Sequence, residues 1–540
     1  MTLNNESSDE LKNRLFQSIT GKQWEKIGVH PHHGINLPLF ALHSKNSSGI
    51  GEFFDLLPII DWCAKLKIDF IQLLPLNNSN SESDPSPYNA ISSCALNFLY
   101  LSLYALPFVE NFPELQNKLS EFKKFNSTES VCYTEVFSYK KSWLIEYFSQ
   151  VGEKILQSED FQSFYKNHSW LMPYALFKTL KDQLKNTPWN TWPENLRYPT
   201  PEKLEPLYAL YEKEASFYLF LQYLCFTQLK KVKTYAEEKG LFLMGDVPIL
   251  LSGESADVWY NPELFDTHLS AGAPPDHYNK KGQNWGFPIF QWDALRKTHF
   301  DWWKQRLQYA ENFFDIVRLD HILGFFRIWA IPPHHPSKEG YYIPDAEEEW
   351  ERQGKELLTA IVSSTTMLPI GEDLGIVPKV VRPCLNEMGI CGTKVMYWER
   401  KWSGNKSYIP IQKYPPVSIT CISTHDSETL TLWWKNCPDE AKAYAKHKHW
   451  TYSPHLKDEH REEILWDSHH SASLFHVNLL QEYLAFFPEL SWTDPEKERI
   501  NIPGTILPTN WTYRFRPSVE ELTSHKELFS KMTKILSSVL

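Results

Sequence analysis

Ile316-Val317-Arg318-Leu319-Asp320 is a short apolar run, interrupted once by arginine and closed by a carboxylate. The same grammar recurs along the chain. Leu241-Phe242-Leu243-Met244 runs into Gly245-Asp246, Met367-Leu368-Pro369-Ile370 into Gly371-Glu372, and Val417-Ser418-Ile419-Thr420-Cys421-Ile422 leads to Thr424-His425-Asp426. Phe70-Ile71-Gln72-Leu73-Leu74 is a similar run without a terminal acid. Runs of this length, rich in β-branched and aromatic residues, suit strands buried on both faces of a parallel sheet. Between them lie amphipathic stretches at 55–67, 215–239, 298–312, 350–363 and 378–388, which read as crossover helices. Alternating strand and helix leave two architectures, an open doubly wound sheet or a closed barrel. The acids decide between them. A (β/α)₈ barrel brings the carboxyl ends of all its strands to one face, so carboxylates far apart in sequence share a pocket there. An open sheet would spread them out, and no G-x-G-x-x-G or P-loop follows any strand. The expected fold is therefore α/β, a (β/α)₈ TIM barrel.

Composition narrows the ligand. The chain has 540 residues and a formal net charge of −11, with 42% hydrophobic residues and 21 Trp, 26 Tyr and 32 Phe. Such a chain has ample apolar surface for a core, unlike a disordered acidic tail. Its negative charge argues against nucleic acid and anionic membranes as partners, both of which select for excess Lys and Arg. A neutral or cationic ligand fits better. Cysteines at 63, 94, 132, 225, 384, 391, 421 and 437 form no C-x-x-C pair and no zinc-like cluster, and read as small buried hydrophobes in a reducing compartment. No signal or transit peptide and no run of about twenty apolar residues is evident. The expected address is the cytosol, and no structural metal is expected.

One region breaks the rhythm. From about 104 to 206 the chain has helical spacing, is rich in Phe, Lys, Glu and Trp, and lacks acid-ended strands. It reads as a mainly helical subdomain inserted above the carboxyl face of a catalytic barrel spanning 29–540. Residues 1–28 read as an N-terminal helical arm, and the tail beyond Pro517 as a closing helix.

Strand side chains two apart face the same way, so Arg318 and Asp320 point into one site. A guanidinium beside a carboxylate favours the ionised form that a nucleophile requires, although such a pair also serves as a plain structural ion pair. Glu372, at an abrupt exit from an apolar strand, is placed to keep its proton and act as general acid. Asp373, of opposite parity, reads as a cap of the following turn. His425 and Asp426 end the strand from Val417 and can hold one polar group from two directions. Two carboxyls flanking a bond, one ionised and one protonated, cleave glycosides; a separation of about 5–5.5 Å gives a covalent intermediate and retention of configuration. Clustered acids also ligate metals, but hard cations do not call for an Arg318 among their ligands. Ser86-Pro87-Tyr88 and the segment GAPPDHYNKKGQNWGFP from Gly272, a nonhelical loop carrying Gln283 and Trp285, add rings and amides that suit a neutral oligosaccharide.

These residues resemble a known family, the amylomaltases: 4-alpha-glucanotransferases, also called disproportionating enzymes, related to the alpha-amylase superfamily. Similar motifs run from His43 to Tyr88, through Gly245-Asp246-Val247-Pro248-Ile249, Ser255-Ala256-Asp257-Val258-Trp259 and the GAPPD and GQNWG segments, to Arg318-Leu319-Asp320-His321, Gly371-Glu372-Asp373-Leu374-Gly375, Thr424-His425-Asp426, Asn501-Ile502-Pro503-Gly504-Thr505 and Asn510-Trp511. The resemblance implies a retaining enzyme, without cofactor, moving segments between alpha-1,4-glucan donors and acceptors. It implies Asp320 as nucleophile, Glu372 as acid/base and Asp426 as transition-state stabiliser. Arg318 and His425 would assist, Asp246 would sit in the sugar site, and Tyr88, Gln283 and Trp285 would line it. An amylase-like hydrolase would use the same acids, and a silent glucan-binding barrel would have no need of all three. The family commonly has Asn and Asp after the last acid, where Ser427 and Glu428 stand, and an Arg near Leu323, absent here. Both departures bear on acceptor preference and glucan length.

Overall fold

The computed structural model describes residues 6–79, 84–276, 279–402 and 406–537. Eight parallel strands form one sheet: β1 (His32–Leu37), β2 (Phe70–Leu73), β3 (Phe242–Val247), β4 (Ile316–Leu319), β5 (Leu368–Gly371), β6 (Gly392–Val395), β7 (Ser418–Cys421) and β8 (Phe475–Leu479). Their spatial order is β6-β7-β8-β1-β2-β3-β4-β5, the chain order wrapped into a circle. The circle closes where Ile370 pairs in parallel with Cys391 and Gly371 N donates to Cys391 O at 2.7 Å. This is a (β/α)₈ TIM barrel. Parallel neighbours need a crossover, and helices Leu56–Leu66, Glu212–Glu238, Asp301–Ala310, Glu347–Val362 and Val381–Met388 follow the amphipathic stretches closely.

Gly245 and Gly371, each directly before an acid, are fixed by close approach. A Cβ at Gly245 would lie 2.4 Å from the Phe314 ring, and one at Gly371 2.6 Å from Ile322. Each glycine lets a side chain pack hard against the strand and leaves the next residue at the rim.

The amino-terminal helices Ser8–Gln17 and Gly21–Ile27 lie against the bottom of the barrel. Trp24 is fully buried and donates Nε1 to Gly389 O at 2.8 Å, and Thr20 Oγ1 donates to Met388 O at 2.9 Å. Residues 104–206 contain helices Pro113–Leu119, Tyr133–Leu156, Glu159–Asn167 and Leu171–Gln183 and the start of Pro201–Leu210. A buried ion pair, Lys140 Nζ to Glu52 Oε1 at 2.6 Å, ties the second of these to the barrel. Lys181 pairs with Glu254, and Trp189 Nε1 donates to Gly253 O at 2.8 Å, joining this region to the loop after β3.

Three elements differ from the sequence reading. First, strands Phe265–Ala273, Gln283–Phe290, Ile328–Ile331 and Tyr341–Ile343 build a separate antiparallel sheet. The segment bearing Gln283 and Trp285 is therefore a strand rather than a loop; its His277 and Tyr278 lie outside the described residues. Second, the tail forms two helices, Val519–Ser524 and Lys526–Leu536, because the His525 side chain caps the second by accepting from Leu528 N. Third, Asp373 does not cap the turn after β5. It is buried and accepts from Thr393 N at 2.6 Å and Arg382 Nε at 2.7 Å, fastening β5 to β6. Among the described residues no helix is long and apolar enough to cross a membrane.

Candidate active site

Asp246 on β3 stands beside Arg318 on β4, and Arg318 beside Ile370 on β5. That register makes Arg318 the centre of the rim. Its Nη1 donates to both oxygens of Asp246, each at 2.8 Å, and to Asp320 Oδ1 at 3.0 Å. One guanidinium therefore orients both acids, in the geometry at which charge-assisted bonds are strong. Burial opposes the charge on Arg318, but Asp246 and Asp320 hold it firmly protonated. Asp246 itself is closed off: its side chain has no exposed surface, and Tyr88 Oη donates to its Oδ2 at 2.7 Å. Burial pushes its carboxyl above the usual range against the pull of Arg318. Asp246 thus holds Arg318 and Tyr88 in place, while Asp320 keeps 24% of its side-chain surface exposed.

Glu372 directly follows β5. Its Oε2 accepts from His321 N at 2.9 Å and its Oε1 from Leu374 N at 3.2 Å. His321, the residue after Asp320, has a left-handed backbone (φ 43°), and this turn aims its N–H at Glu372. A backbone bond thus fastens the acid on β5 to the residue adjoining the acid on β4. Burial, reinforced by the charge of Asp320, outweighs the attraction of Arg318 and pushes the Glu372 carboxyl up to about 8. At neutral pH it holds a proton.

The third acid sits on the turn beyond β7, which ends at Cys421, four residues before His425. Asp426 accepts from Asn501 Nδ2 at 2.7 Å, and His425 Nε2 lies 3.4 Å from its other oxygen. Burial opposes its charge, yet His425, Asn501 and Arg318 together hold the carboxyl down to about 2. The Tyr88 ring stacks on His425 with centroids 5.1 Å apart, and Trp511 stands 5.4 Å from Tyr88. A small cavity at the barrel mouth is lined by Arg318, Glu372, Thr424 and His425 together with Asn36 and Gln72.

From the antiparallel sheet, Trp285 meets His321 edge to face at 4.9 Å, and its Nε1 donates to Gln283 Oε1 at 3.1 Å. The hairpin thus stands over the Asp320 turn. Gly504 approaches it from the other side, where a methyl group would come within 3.3 Å of Asn279 Nδ2 and 3.7 Å of Gln283 Cγ. The nine residues singled out in the sequence therefore gather at this rim. Ser427 and Glu428 do not face it: Tyr397 Oη donates to Ser427 Oγ at 2.5 Å, and Glu428 accepts from Asn436 Nδ2 at 2.9 Å. Asn501, Trp511 and His321 are contributors that residue-by-residue reading passed over, although all three lie in or beside segments that carry the family resemblance.

Residues 37–520 match the model of a family described as 4-alpha-glucanotransferase. A 4-alpha-glucanotransferase of Chlamydia pneumoniae is 46% identical over 524 residues, covering 97% of this chain and 98% of that one. One from Synechocystis is 29% identical over 488 residues, covering 87% of this chain and 91% of that one. Among solved structures, the amylomaltase of Streptococcus agalactiae in complex with acarbose superposes with a TM-score of 0.78 at 24% identity, over 94% of this chain and 99% of the other.

Proposed function

The chain belongs to the 4-alpha-glucanotransferase family, and from that membership we propose that its rim of acids transfers segments of alpha-1,4-glucan between maltooligosaccharides by double displacement with retention. Glu372 protonates the glycosidic oxygen while Asp320 attacks the anomeric carbon, so the C–O bond to the leaving sugar breaks as the bond to Asp320 Oδ forms. The 4-hydroxyl of an acceptor glucan then attacks that carbon, Glu372 takes its proton, and Asp320 leaves as carboxylate. Asp426, ionised far below neutrality, stabilises the positive charge that develops on the sugar ring in both steps. Arg318 orients Asp320, and His425 with Asn501 orients Asp426.

The observation that carries this reading is the unlike setting of two carboxyls at neighbouring strand ends. A proton is retained on Glu372 at about 8, while Asp320 is paired to the Arg318 guanidinium 3.0 Å away. A proton-holding carboxyl and a guanidinium-paired carboxyl at adjacent strand ends are the pair that cleavage of a glycoside needs.

Transfer rather than hydrolysis requires sugar to outcompete water at the intermediate. The Ile500–Gly504 loop supports this role, since it reaches from Asp426 through Asn501 to the Gln283 hairpin through Gly504. Tyr88, Gln283 and Trp285 supply rings and an amide for the glucan. The cytosolic address is supported by eight free cysteines, six of them buried.

Maltotriose alone tests the proposal. The expected products are glucose and a ladder longer than maltotriose; glucose and maltose without elongation would mean a hydrolase. A denatured quench of the reaction should carry the donor sugar on the peptide containing Asp320, and label on any other carboxylate would reassign the nucleophile.

A further inference from the structure

Outside the rim, a second cleft of about 270 Å³, with both apolar and polar walls, opens on the flank of the barrel. It lies between the start of helix Leu430–Asn436, helix Asp458–His469 and the short helix Leu480–Leu484 that follows β8. Its walls include Thr429, Arg461, Gln481 and Glu482, exposed by 4%, 4%, 2% and 1% respectively. These side chains are buried, yet Thr429 Oγ1, Arg461 Nε and Nη1, both amide atoms of Gln481 and Glu482 Oε2 find no hydrogen-bond partner within the protein. Buried polar atoms are nearly always paired, so six orphans on residues that border one cleft, each just beneath its surface, point to a ligand that draws these side chains toward it.

The kind of ligand follows from the donor and acceptor pattern. Arg461 is a cation that offers only donors, Glu482 offers its free oxygen as an acceptor, and no ion pair joins them within 4.0 Å among the described residues. An anion would face Glu482, and a cation would face Arg461. A hydroxyl group satisfies both, accepting from the guanidinium and donating to the carboxylate. Gln481 presents one donor and one acceptor more. Trp492 contributes an aromatic wall of the kind on which sugar C–H faces rest. The volume falls just below the roughly 300–1,000 Å³ of sites for drug-sized ligands, so it holds one ring and not a chain.

The cleft also backs the catalytic turn. Glu482 Oε1 accepts from Ser423 Oγ at 2.5 Å and from Leu430 N at 2.9 Å, pinning both ends of the segment that bears His425 and Asp426. Glu498, on the opposite wall, lies three residues before Asn501, the amide that holds Asp426. We propose that this cleft is a second ligand site, for a neutral polyhydroxyl ring of the monosaccharide class, seated behind the turn that carries Asp426.

Hydrogen exchange on the full chain tests this, and it reads binding whether or not the chain transfers glucan. D-glucose is titrated against the wild type, Q481L, which removes two of the orphans, and A485F, which fills the cleft and leaves its polar groups in place. A single ring of this size binds at about 1 mM or weaker. The expected result is saturable slowing of exchange at 429–431 and 481–485 in the wild type, lost in both variants. Both variants should keep the wild-type melting temperature and the wild-type protection of 318–322 by maltotriose. No slowing at 429–431 and 481–485 in the wild type would mean that water alone fills the cleft, and would overturn the proposal. Slowing that persists in A485F, or slowing by inorganic phosphate in place of glucose, would overturn it as well.

Discussion

At the carboxyl rim of the barrel Glu372 is half-buried beside another acid, and the loss of solvent there pushes its carboxyl up to about 8. At the opposite mouth, where β1 and β8 begin, the buried His469 and His476 sit beside the half-buried His33, and burial pushes all three down, His33 to about 4 and His476 to about 3. The physical cause is the same, desolvation of the charged form, and the consequences are opposite because one group is an acid and the others are bases. At the rim the displaced equilibrium keeps a proton ready for transfer. At the bottom it keeps imidazoles neutral so that they can stack and share hydrogen bonds, as His33 Nδ1 does with His469 Nδ1 at 3.1 Å. Conditions that leave one end unstrained strain the other.

The sharpest way to break the comparison is to remove the rim's nucleophile. Asp320→Ala should lower kcat/KM for maltotriose by about 10⁴-fold or more, since no other group can form the covalent intermediate. Folding should be preserved, because the Asp246 pair remains to hold Arg318. Loss of less than tenfold in a steady-state assay would move the nucleophile elsewhere.

Glu372→Gln separates chemistry from stability at the same position. Transfer should fall about 10²–10⁴-fold, with better leaving groups recovering the first step. The sign of the stability effect is fixed by linkage. Native Glu372 keeps its proton up to about 8, whereas the unfolded chain releases it near 4.5, so the wild type loses stability as pH rises between those values. The amide removes that loss. Thermal or urea unfolding should therefore show the variant about 1–3 kcal/mol more stable at pH 8 and no more stable at pH 4.5. The same group predicts that wild-type kcat/KM declines above about pH 8, as the acid required for protonation is lost.

A smaller effect is expected at Asn501, whose amide donates to Asp426 at 2.7 Å. A hydrogen bond to a charged group contributes about 1.5–3 kcal/mol, so Asn501→Ala should lower kcat about 10–100-fold. Steady-state kinetics across pH would check it: a loss equal at every pH between 5 and 8 fits a support of the already ionised Asp426.

The sequence exposes these regions unequally. Asp246, Asp320 and Glu372 were legible because each directly ends, or lies within one residue of ending, an apolar run, and strand ends converge in a closed sheet. Asn501 was not, since only folding carries it across 75 residues to Asp426. Strands β1, β6 and β8 escaped the periodicity reading for a related reason. His32-His33-Gly34-Ile35-Asn36-Leu37, Gly392-Thr393-Lys394-Val395 and Phe475-His476-Val477-Asn478-Leu479 carry polar residues among apolar ones. Asn478 shows how such a residue is accommodated: its Oδ1 accepts from Ile422 N at 3.0 Å, and its Nδ2 donates to Ser468 Oγ at 2.8 Å. An apolar-run criterion finds strands whose interior is hydrocarbon and misses strands whose interior is a hydrogen-bonded layer. The antiparallel sheet was hidden differently, since Phe265–Ala273 has a polar run, Asp266-Thr267-His268, and a small-residue run, Ala271-Gly272-Ala273, along a half-exposed strand.

The bottom of the barrel provides the last and mildest test, and it should leave catalysis untouched. His476 is 1% exposed, stacks on His33 with centroids 5.1 Å apart, and lies within 3.2 Å of His32 O through Nδ1. Its folded pKa lies at about 3 against 6.5 in the unfolded chain, so below pH 6.5 the unfolded state takes up a proton that the native state refuses. Stability contributed by the neutral ring is therefore complete above about 6.5 and is lost as pH falls. Between pH 7 and pH 5 this amounts to about 2 kcal/mol for one such histidine. His476→Gln cannot titrate, so its unfolding free energy should fall by about 2 kcal/mol less than that of the wild type over that interval, whatever its absolute stability at pH 7. Urea denaturation at the two pH values measures the difference directly. Equal losses in both proteins would mean that the histidines at this mouth are already charged in the native state, and the opposition between the two ends of the barrel would be lost.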